Sequence, residues 1–141
     1  MREPNIVVHK SAEDNGMANM VAQLMRDNIA TSNYKALCFA ALKANIAVVV
    51  KDAEVSATLV FNHGSCVIYD GVDGKPDIRI VADSEAILEL SSLKIVGGLP
   101  YYLDATGRNI LSKILLGDVR VEGMVSSPLS LTLLTIVLSV N

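Results

Sequence analysis

The spacing of apolar residues changes from helical to alternating near residue 46, and this change constrains the fold more than any other feature of the sequence. Before it, apolar residues recur at the intervals typical of amphipathic helices. The first helix is marked by Met17, Val21, Leu24 and Met25, and the second by Leu37, Cys38, Ala41 and Leu42. Ser32 is placed to cap the second helix, which we predict over 34–44.

Five later segments carry the alternation or the β-branched runs expected of strands. They cover 46–51, 55–62, 65–69, 77–82 and 119–122, and residues 6–8 add either an edge strand or a short tail. Helices are expected over 84–91, 108–116 and 128–140, and Gly97, Gly98 and Pro100 make 93–106 irregular. Strands in a run, followed by helices, predict an α+β fold with a mostly antiparallel sheet whose first four strands form a meander.

The last predicted helix is apolar nearly all round, unlike an amphipathic covering helix. Its apolar residues are Leu129, Leu131, Leu133, Leu134, Ile136, Val137, Leu138 and Val140. Ser127 and Pro128 supply a cap and an initiating proline. At about 20 Å the helix is too short for the roughly 30 Å hydrocarbon core of a membrane. It must be buried on two sides, either as a plain core helix or between the core and a partner subunit, a membrane surface or a bound lipid.

The composition is apolar for a chain of 141 residues. Hydrophobic residues make up 51%, charged residues 19%, and the mean hydropathy is +0.42. A generous core, a hidden oligomer face or an apolar cavity would each account for this excess. The net charge is −3, the basic residues are scattered and there is no Trp, so neither phosphate neutralisation nor base stacking is provided for. We therefore predict no nucleic-acid binding.

Catalytic signals in the sequence are weak. Ser65 activated by His63, with Asp70 nearby, would be the arrangement of a hydrolase. No nucleophile-elbow pattern surrounds Ser65, however, and a histidine in a hairpin turn explains His63 equally simply. We expect that the protein is not an enzyme.

Metal and nucleotide cofactors are likewise not expected. The two histidines and two cysteines lack zinc spacing, and the loop carboxylates Asp70, Asp73 and Asp77 lack the pattern of a calcium-binding EF-hand. No glycine-rich phosphate motif occurs. Cys38 and Cys66 are expected to be reduced thiols, and residues 1–10 carry no signal peptide, so we predict a cytoplasmic protein.

The second half of the chain resembles the sterol carrier protein type-two family. The resemblance rests on Asp77-Ile78-Arg79-Ile80, on the capped helix Asp83-Ser84-Glu85-Ala86-Ile87-Leu88, on Gly117-Asp118-Val119-Arg120-Val121-Glu122-Gly123 and on the leucine-rich helix after Pro128. It covers 34–141, which we take as a lipid-binding unit preceded by a tail and helix in 1–33, in one compact domain. Two departures are the long irregular stretch 93–106 and the ending Ser139-Val140-Asn141, which is not a peroxisomal address.

The resemblance implies a five-stranded sheet covered on one side by helices, with an apolar tunnel between them for a fatty acyl chain, a sterol or an isoprenoid. The lining residues that it implies are Leu59, Phe61, Ile68, Ile80, Leu88, Leu111, Leu115, Leu131, Leu134 and Leu138. The function implied is non-catalytic lipid carriage, compatible with transient contact with a membrane surface. The alternative is a protein-interaction module of the same fold, with a collapsed tunnel and an apolar face used for homodimerisation.

Overall fold

The computed structural model describes residues 5–72, 74–93, 95–96, 99–100, 103–123 and 127–139. The strands within those residues are β1 (Asn5–Val8), β2 (Lys43–Val50), β3 (Val55–Asn62), β4 (Ser65–Asp70), β5 (Ile78–Ala82), β6 (Ile95–Val96), β7 (Leu99–Pro100) and β8 (Arg120–Glu122). The α-helices are α1 (Gly16–Thr31), α2 (Asn33–Ala41), α3 (Ser84–Ser91), α4 (Ala105–Leu115) and α5 (Pro128–Leu138). A short 3-10 helix, Lys10–Ala12, follows β1.

Six of these strands form one mixed sheet in the order β1–β4–β3–β2–β5–β8, and β6 pairs with β7 separately. The β3 strand is antiparallel to both of its neighbours, and β5 is antiparallel to β8. The outer pair β1–β4 and the inner pair β2–β5 are parallel. The predicted α+β class is confirmed. The sheet has six strands in the described part of the chain, not five, because residues 5–8 join its edge as a strand.

The fourth strand of the predicted meander does not pair with the third. Instead β5 runs parallel to β2, with Ile78 opposite Ile46. Asp77 fixes the start of this pairing from both sides. Its N–H donates to the carbonyl oxygen of Asn45 at 2.8 Å, and its carboxylate accepts the N–H of Asn45 at 2.8 Å. The predicted four-strand meander is therefore wrong beyond its third strand.

The first strand, β1, lies parallel to β4 with Ile6 opposite Cys66. Helix α1 supports it, because the guanidinium of Arg26 donates to the carbonyl oxygen of Ile6 at 2.8 Å. The main chain of His9 continues the contact by donating to the carbonyl oxygen of Ile68 at 2.8 Å. The alternative of a loose tail for these residues is thus replaced by an edge strand.

Helix α2 buries half of the predicted apolar stripe, because Cys38 and Leu42 are buried whereas Leu37 and Ala41 are exposed. Leu37 is 69% exposed, although the apolar spacing had placed it in the core. Lys35 and Phe39 are buried together with Cys38 and Leu42, and the four lie at the i, i+3, i+4 and i+7 positions of one helical face. The helix ends at Ala41, earlier than predicted, because the strand β2 begins at Lys43. The cap is as predicted, since the Ser32 hydroxyl accepts the N–H of Lys35 at 3.3 Å.

The main core lies on one face of the sheet. A row of side chains crosses four neighbouring strands on that face, Ile78–Ile46–Leu59–Ile68, and all four are fully buried. Helix α1 packs over β3 and β4, and α5 packs against α1 and α2. The part of the sheet formed by β5 and β8 is covered by the later helices, and the candidate site lies there.

Candidate apolar ligand site

A cavity of about 310 Å³ lies between the β5–β8 end of the sheet and helices α3, α4 and α5. Its floor consists of Ile80 and Val121, which are opposite each other in the β5–β8 pairing. One wall is Leu90 of α3 together with Ile110, Leu111 and Ile114 of α4. The other wall is α5, through Pro128, Leu131, Thr132, Leu134, Thr135 and Leu138. This volume is at the lower end of the range of sites that bind small molecules.

The two threonines are the only polar side chains among the described lining residues, and both are satisfied by their own helix. The hydroxyl of Thr132 donates to the carbonyl oxygen of Pro128 at 2.9 Å, and that of Thr135 donates to Leu131 at 2.9 Å. Neither hydroxyl therefore needs a partner in the cavity. The described lining is suited to burying apolar surface rather than to recognising a charged or strongly polar group.

Helix α4 is held against α3 by one carboxylate. The Lys113 ammonium lies 2.9 Å from a Glu89 oxygen, and Asn109 donates to the other oxygen. The hydrogen bond to Glu89 raises the pKa of Lys113 above its usual value. The start of α4 is capped by Asp104, which accepts the N–H of Gly107 at 2.7 Å. The contacts of Glu89 with Lys113 and Asn109 thus join the two helices that form one wall of the cavity.

Helix α5 is held at its C-terminal end by side chains from the first two helices. The Asn28 amide donates to the carbonyl oxygen of Val137 at 2.9 Å, and the buried Lys35 ammonium donates to the carbonyl oxygen of Ser139. Burial lowers the pKa of Lys35 below its usual value. The Ser139 hydroxyl donates to the carbonyl oxygen of Leu93 at 2.6 Å. A cation and an amide thus satisfy carbonyl groups that the helix leaves unpaired.

The N-terminal end of α5 differs from the prediction. Pro128 occupies the first helical turn as expected, but the Ser127 side chain makes no capping hydrogen bond. The φ and ψ of Ser127, −137° and 53°, fall outside the extended region in which a capping side chain ordinarily faces the first turn.

No helix in the described residues has the length and apolar character needed to cross a bilayer.

The structure brings five of the ten predicted lining residues together around the cavity. They are Ile80, Leu111, Leu131, Leu134 and Leu138. Leu59, Phe61 and Ile68 lie on the same face of the sheet but on β3 and β4, where they are buried in the main core. Leu115 is 87% exposed at the end of α4, and Leu88 is 57% exposed on the side of α3 that faces away from the cavity.

Sequence reasoning missed five apolar side chains of the lining: Leu90, Ile110, Ile114, Val121 and Pro128. The signal for two of them was present, because Ile110 and Ile114 are four residues apart and so share one face of α4. Val121 could have been found from the strand pairing, since it lies opposite Ile80. That pairing was not foreseen.

The residues of the hydrolase hypothesis do not form a catalytic arrangement. The Ser65 hydroxyl donates to the main-chain oxygen of Asn62 at 3.2 Å, within the turn before β4. Asp70 lies at the other end of β4, where its carboxylate accepts a hydrogen bond from Asn15 at 2.8 Å. His63 occupies the left-handed region with a φ of 45°, as turn residues do. In the part of the chain that the structure describes, Ser65 thus begins β4 and its hydroxyl bonds to the main chain.

The remaining candidates from the sequence are the acidic loop residues and the two cysteines. Asp77 pairs with Asn45 as described above, and Asp73 lies outside the described residues. Among the residues that the structure describes, no three His, Cys, Asp or Glu side chains cluster as metal ligands would. Cys38 and Cys66 are free and buried, and burial raises the pKa of Cys66 to about 12. A thiol with such a pKa is unreactive at neutral pH.

Comparisons with known proteins place the fold. No protein-family model and no curated protein matches the sequence. Among solved structures, one described as "UbiJ-SCP2 Ubiquinone synthesis protein" matches 86% of this chain and 94% of its own, at 16% identity and a TM-score of 0.58. A crystal structure of sterol carrier protein 2 matches 84% of this chain and 93% of its own, at 18% identity and a TM-score of 0.50.

Sterol carrier protein 2 from Yarrowia lipolytica, in its apo form, matches 84% of this chain and 89% of its own, at 18% identity and a TM-score of 0.50. Identities this low carry the fold and not the function. All three matches extend over most of both chains, so the similarity concerns the whole arrangement of sheet and helices. The chain has the fold of sterol carrier protein 2.

Proposed function

We propose that this protein binds and carries an apolar ligand, without catalysis, in the cavity between α3, α4, α5 and the β5–β8 end of the sheet. The observation that carries the proposal is the lining itself. It is apolar throughout the described residues except for Thr132 and Thr135, whose hydroxyls are bonded within α5. Transfer of apolar surface from water into such a space stabilises a complex by about 25 cal/mol per Å².

The names of similar structures support the same class of ligand. Two of them are sterol carrier proteins and one is a ubiquinone synthesis protein. The class of ligand is the finer part of the proposal. These names suggest a sterol-like or an isoprenoid lipid, and we include a fatty acyl chain because the lining asks only for apolar surface. Two free, buried cysteines suit the cytoplasm, which we propose as the place of action.

The test is native mass spectrometry of protein purified without detergent, followed by organic extraction of the bound material. We expect a mass excess that extracts as a lipid. Leu111→Glu places a charge in the wall of the cavity, at a side chain that is already 40% exposed, and should abolish the excess. Leu116→Glu, at a 74% exposed leucine that does not line the cavity, is the matched control. Equal loss in both variants, or none in Leu111→Glu, would count against this site.

A second candidate function is a protein-interaction module that dimerises through an apolar face. The observation that favours it is the exposure of leucines around α4 and the start of α5. Leu103, Leu115, Leu116 and Leu129 are 70% or more exposed. Sedimentation equilibrium distinguishes the two functions, because a tight dimer without extractable lipid would favour the module, and a lipid-loaded monomer would favour the carrier.

A further inference from the structure

An apolar groove runs between α1 and α3, on the side of α3 that faces away from the cavity. It consists of two adjoining spaces of about 310 and 300 Å³, which share Met20, Ile87 and Leu88 as lining residues. On α1 the lining extends from Gly16 to Leu24, which is about 12 Å, or roughly two turns, at the helical rise per residue. Met20 and Leu88 are 43% and 57% exposed, so the groove can be reached from outside.

The lining of the groove is suited to apolar contact. No Lys, Arg, Asp or Glu is among the described lining residues of either part. The Ser84 hydroxyl donates to the Asp52 carboxylate at 2.9 Å, and the Ser91 and Ser92 hydroxyls donate to the carbonyl oxygen of Leu88 at 2.8 and 2.9 Å. Two methionines of α1 belong to the lining, and this flexible side chain adapts to partners of irregular shape.

Four carboxylates stand beside this lining, at the β2–β3 turn and the start of α3. Each belongs to a residue next in sequence to a lining residue, either Ala53 or Ser84, and together we call them the acidic rim: Asp52, Glu54, Asp83 and Glu85. Hydrogen bonds from Ser84 lower the pKa of Asp52, so this carboxylate is charged at neutral pH. Lys51 is the one basic residue in 50–55 and 83–88, and its ammonium donates to the carbonyl oxygen of Asp118 at 3.3 Å.

The acidic rim stays negative when the nearby positive charges are included. The N-terminal ends of α1 and α3 adjoin the groove, and each carries about half a positive elementary charge. Four carboxylates outweigh these two partial charges and Lys51 together. The rim therefore attracts cations and repels anionic surfaces.

The main chain around the groove favours a helical occupant over an extended one. The groove lies between two helices, and Val50 at its end already pairs on both sides, with Val55 and with Ala82. An extended segment in the groove would therefore leave main-chain groups unpaired, whereas a helix satisfies its own.

We propose that the groove binds an amphipathic helix of another protein, with its apolar face on Met20, Ile87 and Leu88 and with Lys or Arg facing the acidic rim. Apolar residues at the i, i+3, i+4 and i+7 positions of such a helix match the two turns that the groove spans. A second copy of this chain, with its net charge of −3, is repelled by the rim, as is an anionic membrane. The inference is independent of the lipid proposed for the cavity, because it concerns a partner protein on the other side of α3.

The experiment measures the binding of a fluorescein-labelled synthetic peptide by fluorescence polarisation. The peptide is a helix of leucine and lysine with leucine at the i, i+3, i+4 and i+7 positions. One comparison peptide has glutamate in place of lysine, and another has the same composition in an order without an apolar face. We expect the basic amphipathic helix to bind at least about tenfold more tightly than either comparison peptide, because only it meets both the apolar lining and the acidic rim.

Two substitutions at exposed positions test the location of binding. Leu88→Ser removes apolar contact from one wall of the groove, and Glu54→Lys reverses one charge of the acidic rim. The matched controls are Leu37→Ser, at a 69% exposed leucine of α2, and Glu122→Lys on β8, neither of which lines the groove. We expect each groove variant to weaken the basic helix about fivefold or more, and each control to leave its affinity within about twofold.

Failure of the basic helix to bind the unmodified protein, or equal weakening by the groove variants and their controls, would overturn the inference. Equal binding of the glutamate peptide would overturn the role of the acidic rim. Flotation with vesicles of equal parts phosphatidylcholine and phosphatidylglycerol tests a membrane as the occupant, and sedimentation equilibrium tests a second copy. Loss of vesicle binding or of a dimer in Leu88→Ser would show that the groove has that occupant and not a partner helix.

Discussion

The side-chain amide of Asn28 donates a hydrogen bond of 2.9 Å to the main-chain oxygen of Val137, across 109 residues of sequence. Asn28 is buried on α1, and Val137 lies in the last turn of α5. The bond anchors the helix that forms one wall of the cavity to α1, which packs beside it over β3 and β4. The orientation of α5, and so the shape of the cavity, depends on residues far from the lining itself.

Asn28→Ala should reduce the free energy of unfolding by about 1–3 kcal/mol, because it leaves a buried carbonyl group without its donor. Urea unfolding monitored by circular dichroism measures the change. Gln23→Ala is the control, since the Gln23 side chain bonds to Asp27 on the exposed side of the same helix. It should change stability by no more than about 0.5 kcal/mol. Equal effects of the two substitutions would contradict the role assigned to Asn28.

Glu89→Gln should loosen the wall of the cavity more than it weakens the fold. The substitution removes the charge that holds Lys113, at 2.9 Å, and so reduces the attraction between α3 and α4. We expect bound fatty acid to dissociate several-fold faster, as measured by stopped-flow displacement. Glu122→Gln is the matched control, because Glu122 lies 4.0 Å from Arg79 in an exposed pair and should leave the dissociation rate unchanged.

Gly123→Ala should be strongly destabilising. Gly123 has a φ of +89°, and an added Cβ would lie 2.0 Å from the main-chain oxygen of Asp77, at the start of β5. Relief of this clash requires the backbone to move where β8 pairs with β5, so we expect a loss of about 3 kcal/mol or more, or failure to fold.

The glycine that serves as control is Gly16, in the first turn of α1. An added Cβ there meets nothing within 4 Å, and alanine is the better helix former. Gly16→Ala should therefore be neutral or slightly stabilising when the thermal unfolding of the two variants is compared. If Gly123→Ala unfolded at the same temperature as Gly16→Ala, the close approach to Asp77 would be wrong.

Cys66 should make stability fall in alkaline solution. Burial raises its pKa in the folded state from the ordinary 9.0 to about 12. Between these two pH values the unfolded chain loses the thiol proton while the folded protein keeps it, so the free energy of unfolding decreases as the pH rises through this window. Urea unfolding at a series of pH values measures the slope. Cys66→Ala should show a shallower decline, and an identical decline would remove Cys66 as the cause.

Much of the fold could be predicted because its local signals are strong. The period of the apolar residues located the helices and strands, and Asp83 and Ser32 cap α3 and α2 as their positions indicated. The sequence did not show which strands pair with one another in the sheet. The pairing of β5 with β2 is set by two hydrogen bonds between Asp77 and Asn45, which are 32 residues apart, and no local pattern reports such a contact.

Only five of the ten predicted lining residues lie at the cavity, and the reason is related. Alternation along a strand tells which side chains share a face of the sheet, and Leu59 and Ile80 do share one. It does not tell which helix covers that face at each strand. Helix α1 covers β3 and β4, so Leu59 is core, whereas the cavity adjoins β5, so Ile80 is lining. Both Leu111 and Leu115 of α4 were predicted to line the cavity, although only Leu111 faces it.

The contact between Asn28 and Val137 also has a consequence for biosynthesis. The ribosome makes α1 and α2 early, yet the helix that packs against both is completed 109 residues after Asn28. At roughly 5–20 residues per second, the sides of α1 and α2 that contact α5 stay uncovered for roughly 5–20 s. We therefore expect the partly made protein to remain open to aggregation on these sides until α5 leaves the ribosomal tunnel.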